Sequence, residues 1–284
     1  MMLLSSTEML QKAKAQNYCI SAFNVYTFEM LQGVIEAAQE LRAPVIIQTS
    51  VGTVKQLGAN YIVAHVRAAA EVNELPIALH LDHCSDFTII SDCIRAGYTS
   101  VMIDASHFSL EENISRTKQV VNFAQKYKVH VEAELGKIVG TEDNIIVSEK
   151  EMRLADPDEC LEFVEATRVD SLAPAVGTAH GIYKQEPNID FERIERIASM
   201  VSIPLVLHGG SGIPEAQVKR AISLGMSKMN IATEIRNVYS EALRNYFRQY
   251  EAENDPRRYL VPAREALKSK VKESIRMCGC DGKY

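Results

Sequence analysis

Four of the seven histidines in this chain, His83, His107, His180 and His208, fall at or just beyond the ends of short apolar runs rich in β-branched residues. An imidazole at such a boundary is either a hydrogen-bonded structural group or a metal ligand. Three converging neutral imidazoles leave a fourth coordination position open, which is how catalytic rather than structural zinc is held. His83, His180 and His208 are the expected trio, and only the fold can bring them together because they come from three separate runs. His107 is the spare. Asp104, Glu132 and Glu134 lie close by in the sequence pattern and are expected to orient ligands or to act as alternative ones. His65 and His130 sit on a helical pattern and at the start of a run, and read as structural.

Asp82 immediately precedes His83. Neighbouring strand residues point to opposite faces, so both reach one pocket only if the backbone turns at the strand end. A carboxylate beside a metal-polarised substrate could take and return the proton that C–C cleavage moves. The alternative is that Asp82 only orients a ligand histidine. Glu142 and Asp143 follow Gly136 and Gly140 in a polar stretch, either a solvated loop or a mobile one that brings an acid over the pocket. Gly209-Gly210-Ser211-Gly212 precedes a helical pattern, and Asn230-Ile231-Ala232-Thr233 comes one unit later. Backbone N–H groups at a helix start favour anions, so these two segments read as a phosphate cradle. Cys278-Gly-Cys280 is spaced too closely for a metal site and has no second pair.

The elements that must position these residues alternate. Strands are expected at Ile20–Val25, Val45–Thr49, Ile77–Asp82, Ser100–Asp104, His130–Glu134, Ser171–Val176, Leu205–His208 and Lys228–Ile231. Helical patterns lie between them, among them Glu29–Leu41, Tyr61–Val72, Leu110–Lys126, Pro157–Ala166, Phe191–Met200 and Ile213–Leu224. Strands that alternate with helices form parallel sheets. Eight such units, nearly all with polar residues at their C-terminal ends, predict an α/β chain folded as a (β/α)8 TIM barrel whose strand ends meet at one mouth. Residues 234–284 read as a C-terminal helical extension, with a turn at Asn254–Tyr259 and a helix from Ala263 to about Met277. No linker or low-complexity tract divides residues 1–284, so a single domain is expected.

Composition sets limits on function. The 284 residues are 46% hydrophobic and 24% charged with a formal net charge of −6, which argues against a nucleic-acid surface. If the substrate is a phosphate ester, its positive partner must be local, from a metal, a few basic side chains and helix N-termini. No apolar run approaches the ~18 residues of a membrane span, and Met1–Met9 carries Glu8 and no basic segment, so neither a membrane nor a secretory leader is expected. Six scattered cysteines fit a reducing cytoplasm.

Taken together, His-Leu-Asp82-His83, Val-Met-Ile-Asp104-Ala-Ser106-His107, Glu132-Ala-Glu134-Leu-Gly, Gly-Thr-Ala-His180-Gly181, Leu-His208-Gly-Gly-Ser211-Gly and Asn230-Ile-Ala-Thr233-Glu resemble the class II ketose-bisphosphate aldolases. The resemblance covers nearly the whole chain and is closest to the tagatose-1,6-bisphosphate branch, including the Cys-Gly-Cys-Asp-Gly ending. It implies zinc at His83, His180 and His208, Asp82 as the acid/base, and Glu142 exchanging the proton on the dihydroxyacetone-phosphate carbon. Gly181, Gly209, Gly210, Ser211, Asn230, Ile231, Ala232 and Thr233 match positions around the dihydroxyacetone-phosphate end and a monovalent cation (Na+ or K+). Asn24 and Ser50 match substrate contacts, Lys184 a basic position near the phosphate loops, and Arg257 an arginine that reaches the second phosphate across a subunit interface. Ala232 stands where fructose-bisphosphate aldolases of this family often have Asp or Asn, which favours tagatose over fructose. The resemblance also implies a homodimer or homotetramer and admits a second, supporting subunit.

Two rivals remain at this level. A lysine Schiff-base aldolase would need a lysine at a strand's C-terminal end; none of the expected strands has one, although Lys137 and Lys184 lie on the loops beyond. A non-catalytic sugar-phosphate-binding subunit would have no use for the full set of His83, His180, His208, Asp82 and Glu142.

Overall fold

The computed structural model describes residues 3–142, 145–148, 151–183 and 185–284. In chain order the strands are β1 (Ile20–Asn24), β2 (Val45–Ser50), β3 (Ile77–Cys84), β4 (Ser100–Ile103), β5 (His130–Leu135), β6 (Val139–Glu142), β7 (Ile145–Val147), β8 (Ser171–Pro174), β9 (Ala179–His180), β10 (Leu205–Leu207) and β11 (Met226–Ile231). Eight of them close a parallel barrel in the order β1-β11-β10-β8-β5-β4-β3-β2. These are the eight expected strands, each within a few residues of its expected ends. The remaining three, β7-β6-β9, form a small sheet in which β6 and β7 make an antiparallel hairpin and β6 runs parallel to β9.

The helices are α1 (Ser6–Ala15), α2 (Phe28–Leu41), α3 (Val51–Leu57), α4 (Ala59–Asn73), α5 (Phe87–Ala96), α6 (Leu110–Ala124), α7 (Pro157–Thr167), α8 (Phe191–Met200), α9 (Glu215–Ser223), α10 (Thr233–Gln249) and α11 (Pro256–Met277). Most begin at an oxygen-bearing side chain that accepts a backbone N–H of the first turn: Thr27, Ser50, Asp86, Ser109, Asp156 and Asp190 do so after barrel strands. Such caps, each worth about 1 kcal/mol, fix where these helices begin. No described helix is long and apolar enough to cross a membrane.

The C-terminal extension is helical as expected, but its last helix starts at Pro256 rather than Ala263. Asn254–Tyr259, read as a turn, contains the beginning of α11: Asp255 caps it and Pro256 takes the first helical position, where its missing N–H has no cost. α11 lies against α2 across Gly33, where a Cβ would stand 2.7 Å from Leu267 Cδ2, so the helices approach at a glycine. All six cysteines are free and buried.

Part of the buried volume is polar. His130 is enclosed at the start of β5, its ring held by Thr7 Oγ1 (2.9 Å) and Ser171 Oγ (2.8 Å), in keeping with a structural role. His80 meets Ser100 Oγ at 2.6 Å, and burial with Lys228 nearby pushes its pKa down to about 3, so it is neutral. His65, on α4, stacks on Phe28 with its ring nitrogen at Tyr61 O.

Candidate active site

The end of β3 resolves the geometric problem posed by adjacent Asp82 and His83. The pairing of β3 with β4 shifts register between Leu81 and Cys84, and His83 sits at φ 41. A left-handed conformation is uncommon for a residue with a side chain and marks a backbone held by its surroundings. The irregularity lets both residues reach the same buried cluster, Asp82 at 0% exposure and His83 at 8%.

His83, His180 and His208 converge: their ligand atoms lie within 4.8 Å of one another. The carboxylates around them fix the rings. His83 Nδ1–H donates to Asp104 Oδ2 at 2.9 Å, and His208 Nε2–H donates to Glu132 Oε1 at 2.9 Å. In those tautomers the remaining nitrogens, His83 Nε2 and His208 Nδ1, both carry lone pairs, yet they face each other at 2.9 Å. Two opposed lone pairs repel unless a proton or a metal ion lies between them. Burial works against a charge on His83, but Asp82 and Asp104 outweigh it and hold its pKa well above the ordinary histidine value, so a proton can fill the place a metal would take. Nitrogens bound to one tetrahedral zinc at about 2.0–2.1 Å would stand roughly 3.3 Å apart, so the donor set and its spacing fit such an ion. His180, the most exposed of the three, is held well below the ordinary histidine range by desolvation and by His83 and His208, which leaves it neutral and able to ligate.

Asp104 and Glu134 join His83 in a second close group. Asp104 Oδ1 accepts from Ser106 N and Oγ, so both its oxygens are used. Glu134 is buried, and its Oε2 has no hydrogen-bond partner. Burial and the neighbouring Asp104 push its pKa well above the usual carboxylate range. His107 is exposed beside Phe108 and takes no part in either group.

Asp82 is not the residue that orients a histidine; Asp104 and Glu132 do that. Its own oxygens accept from Asn24 Nδ2 (2.8 Å) and Asn230 Nδ2 (3.2 Å), and Gln48 Nε2 in turn donates to Asn24 Oδ1 at 2.8 Å. Burial alone would raise its pKa, but His83, His208 and Lys228 outweigh that and hold it below the ordinary value. The result is an ionised carboxylate, fixed by two amides, beside three imidazoles. Such a group can accept a proton from a hydroxyl brought to the cluster. Ser50 lies opposite Asp82 in the register of β2 and β3 and caps α3.

The glycine-rich loop is shaped by close approach. A Cβ on Gly209, at φ 67, would lie 2.4 Å from Ala179 O, and one on Gly210 would lie 2.7 Å from Asn230 O. Gly209→Ala is therefore expected to destabilise the protein by about 1–3 kcal/mol, measurable as a lower melting temperature; an unchanged melting curve would contradict this packing. Gly210 N–H is already spent on Asn230 O (2.9 Å), so it is not a free donor for an anion. Gly181, at φ 108, has open space where a side chain would go. Ser211 Oγ accepts the N–H of Glu234 at 3.2 Å, so the loop packs on the start of α10 rather than serving only as the approach to α9. Thr233 begins α10, Ala232 precedes it and Ile231 is buried in β11.

Arg257 stands on the first turn of α11, exposed to solvent with its guanidinium on Asp255. Lys184 and the side chain of Glu142 lie outside the described residues; the backbone of Glu142 ends β6. Two residues of the site drew no attention from sequence. Tyr183 OH donates to Gly209 O (2.8 Å) and accepts from Ala179 N (2.9 Å), tying the His180 segment to the glycine loop. Lys228 Nζ donates to Glu132 Oε2 at 2.8 Å inside the barrel. A lone lysine inside a strand run was the available signal.

Residues 4–283 match the family described as fructose-bisphosphate aldolase class-II. The chain is 43% identical over 282 residues to the D-tagatose-1,6-bisphosphate aldolase subunit GatY of Klebsiella oxytoca, covering 99% of each. Among solved structures it resembles the YdjI aldolase of Escherichia coli K12 (TM-score 0.86, 36% identity, 99% of each chain covered). It also resembles the fructose-bisphosphate aldolase of Campylobacter jejuni (TM-score 0.85, 26% identity, 99% of this chain and 97% of that one).

Proposed function

The chain belongs to the class II fructose-bisphosphate aldolase family, and from that premise we propose that it cleaves tagatose 1,6-bisphosphate to dihydroxyacetone phosphate and glyceraldehyde 3-phosphate. The observation that carries the chemistry is the pair of facing nitrogens, His83 Nε2 and His208 Nδ1, with the ionised Asp82 beside them. His83, His180 and His208 would hold zinc, which when bound supplies Lewis acidity at the ketone oxygen.

Asp82 accepts the proton of the hydroxyl that becomes the aldehyde. Asn24 and Asn230 keep its oxygens in place while that proton moves. As the carbon–carbon bond breaks, its electron pair stays with the dihydroxyacetone-phosphate fragment, and Glu142 delivers a proton to that carbon. The run of reactions reverses for condensation. Gly181, Gly209, Ser211, Asn230 and Thr233 bind the dihydroxyacetone-phosphate end with a monovalent cation nearby, the start of α10 contributing its N-terminal dipole. Asn24 and Ser50 contact the sugar. Lys184 adds a positive charge near the phosphate, and Arg257 reaches the second phosphate of a neighbouring protomer in a homodimer or homotetramer. The exposure of Arg257 within one chain supports that last assignment.

Preference for tagatose over fructose rests on Ala232 and on the likeness to the Klebsiella protein. The word subunit in that relative's name supports a second, supporting protein working beside this enzyme. A cytoplasmic location fits six free cysteines. A coupled assay of purified protein on the two bisphosphates tests substrate choice: faster turnover of the tagatose ester is expected. Preference for the fructose ester would transfer the assignment to fructose-bisphosphate aldolase, and failure to cleave either would favour a non-catalytic, supporting role.

A further inference from the structure

Glu132 is the middle member of a buried chain that leads away from the histidines. Its Oε1 accepts from His208 Nε2 and its Oε2 from Lys228 Nζ, at 2.9 and 2.8 Å. All three residues are almost fully enclosed, Lys228 at 1% exposure, Glu132 at 0% and His208 at 1%. A buried ammonium carries a heavy desolvation penalty unless it is paired, and here the partner is a carboxylate whose second oxygen already serves a histidine. Lys228 and Asn230 are two residues apart and so share one face of β11. Asn230 holds Asp82 directly, and Lys228 reaches His208 through Glu132.

Glu134 shows what the anchor does. It lies two residues after Glu132 on the same face of β5, but lacks a lysine, and one of its oxygens is without a hydrogen-bond partner. Glu132 has both oxygens committed and one orientation.

We propose that Lys228 is a positioning residue for the metal site. By holding Glu132 Oε2 it keeps Oε1 on His208 Nε2–H, and this fixes the tautomer in which His208 Nδ1 turns toward the ion. The proposal rests on the reading of His83, His180 and His208 as metal ligands. It also gives the buried lysine a role other than Schiff-base chemistry, since its Nζ is spent on Glu132.

The test compares full-length wild type with Lys228→Met and with Lys228→Met/Glu132→Gln. Zinc and cobalt affinities are measured by competition with a chromophoric chelator, and the His208 tautomer by long-range 1H–15N spectra of the zinc-loaded proteins. Lys228→Met is expected to bind zinc about 10–100-fold more weakly, as loss of a ligand-orienting contact does, and to lose the single Nε2–H form of His208. Affinity within roughly twofold of wild type would overturn the proposal. So would weaker binding with the Nε2–H form intact, because the loss would then follow another route. If Lys228→Met does not fold, the double variant, which leaves no unpaired buried charge, is read by the same outcomes. Wild type that takes up neither zinc nor cobalt overturns the three-imidazole reading and this proposal with it; normal wild-type uptake with an unaffected lysine variant overturns this proposal alone.

Discussion

Replacing Asp82 with alanine is expected to lower kcat for bisphosphate cleavage by about 10²–10⁴-fold, the usual contribution of a positioned acid/base. Zinc content should stay at the wild-type level, because the three imidazoles and the carboxylates that orient them are untouched. Asp82 is buried and ionised, with Asn24 and Asn230 fixing both oxygens. Its removal takes the acceptor from Asn24 Nδ2, at about 1–3 kcal/mol if water cannot reach it, and leaves Asn230 Nδ2 only the His208 ring beside it. Some loss of melting temperature should therefore accompany the loss of turnover, and Asp82→Asn, which preserves volume, separates the two effects. Turnover within about tenfold of wild type, measured on zinc-loaded and folded protein, would remove Asp82 from the reaction.

The second large effect is expected from metal removal. Protein stripped by a chelator should retain below roughly 1% of its cleavage rate and recover it on addition of zinc, since in the proposed mechanism the metal would supply the Lewis acidity at the ketone. Stability should follow activity. An ion at 100 times its dissociation constant stabilises the native state by about 2.7 kcal/mol, so the stripped protein should melt earlier. The facing nitrogens of His83 and His208, 2.9 Å apart, give a reason to expect this even without catalysis. Full activity in protein shown by elemental analysis to hold no metal would end the zinc mechanism.

The barrel and the core of its site could be read from sequence because both are written in local patterns. Apolar runs ending in His83, His208 or Asn230 announce strands with polar tips, and the barrel topology brings such tips together. The Asp82–His83 pair was legible as well, since only a local backbone irregularity lets neighbours share a pocket, and the β3 register shift provides it. What escaped depends on pairing across the chain. Val139–Glu142 and Ile145–Val147 are four and three residues long, too short for an alternating pattern to signal strands, and β6 is held by pairing with Ala179–His180, remote in sequence. Lys228 looked like any residue of a strand until Glu132 appeared opposite it. The start of α11 was misread because Asp-Pro fits a turn as well as a capped helix, and packing of α11 on α2 decides between them.

The hydrogen bonds of Asp82 also bear on when this site can come into existence. Asn24 belongs to β1 and Asn230 to β11, and these two strands pair to seal the ring. The Asp82 carboxylate thus straddles the seam between the first and last staves of the barrel. During synthesis β1 must wait for more than two hundred residues before its final neighbour emerges, and long-range pairing of that kind is intrinsically slow. Until then β1 is an exposed edge and Asp82 lacks one of its two amides, so recovery of turnover in a refolding experiment times closure of the whole ring.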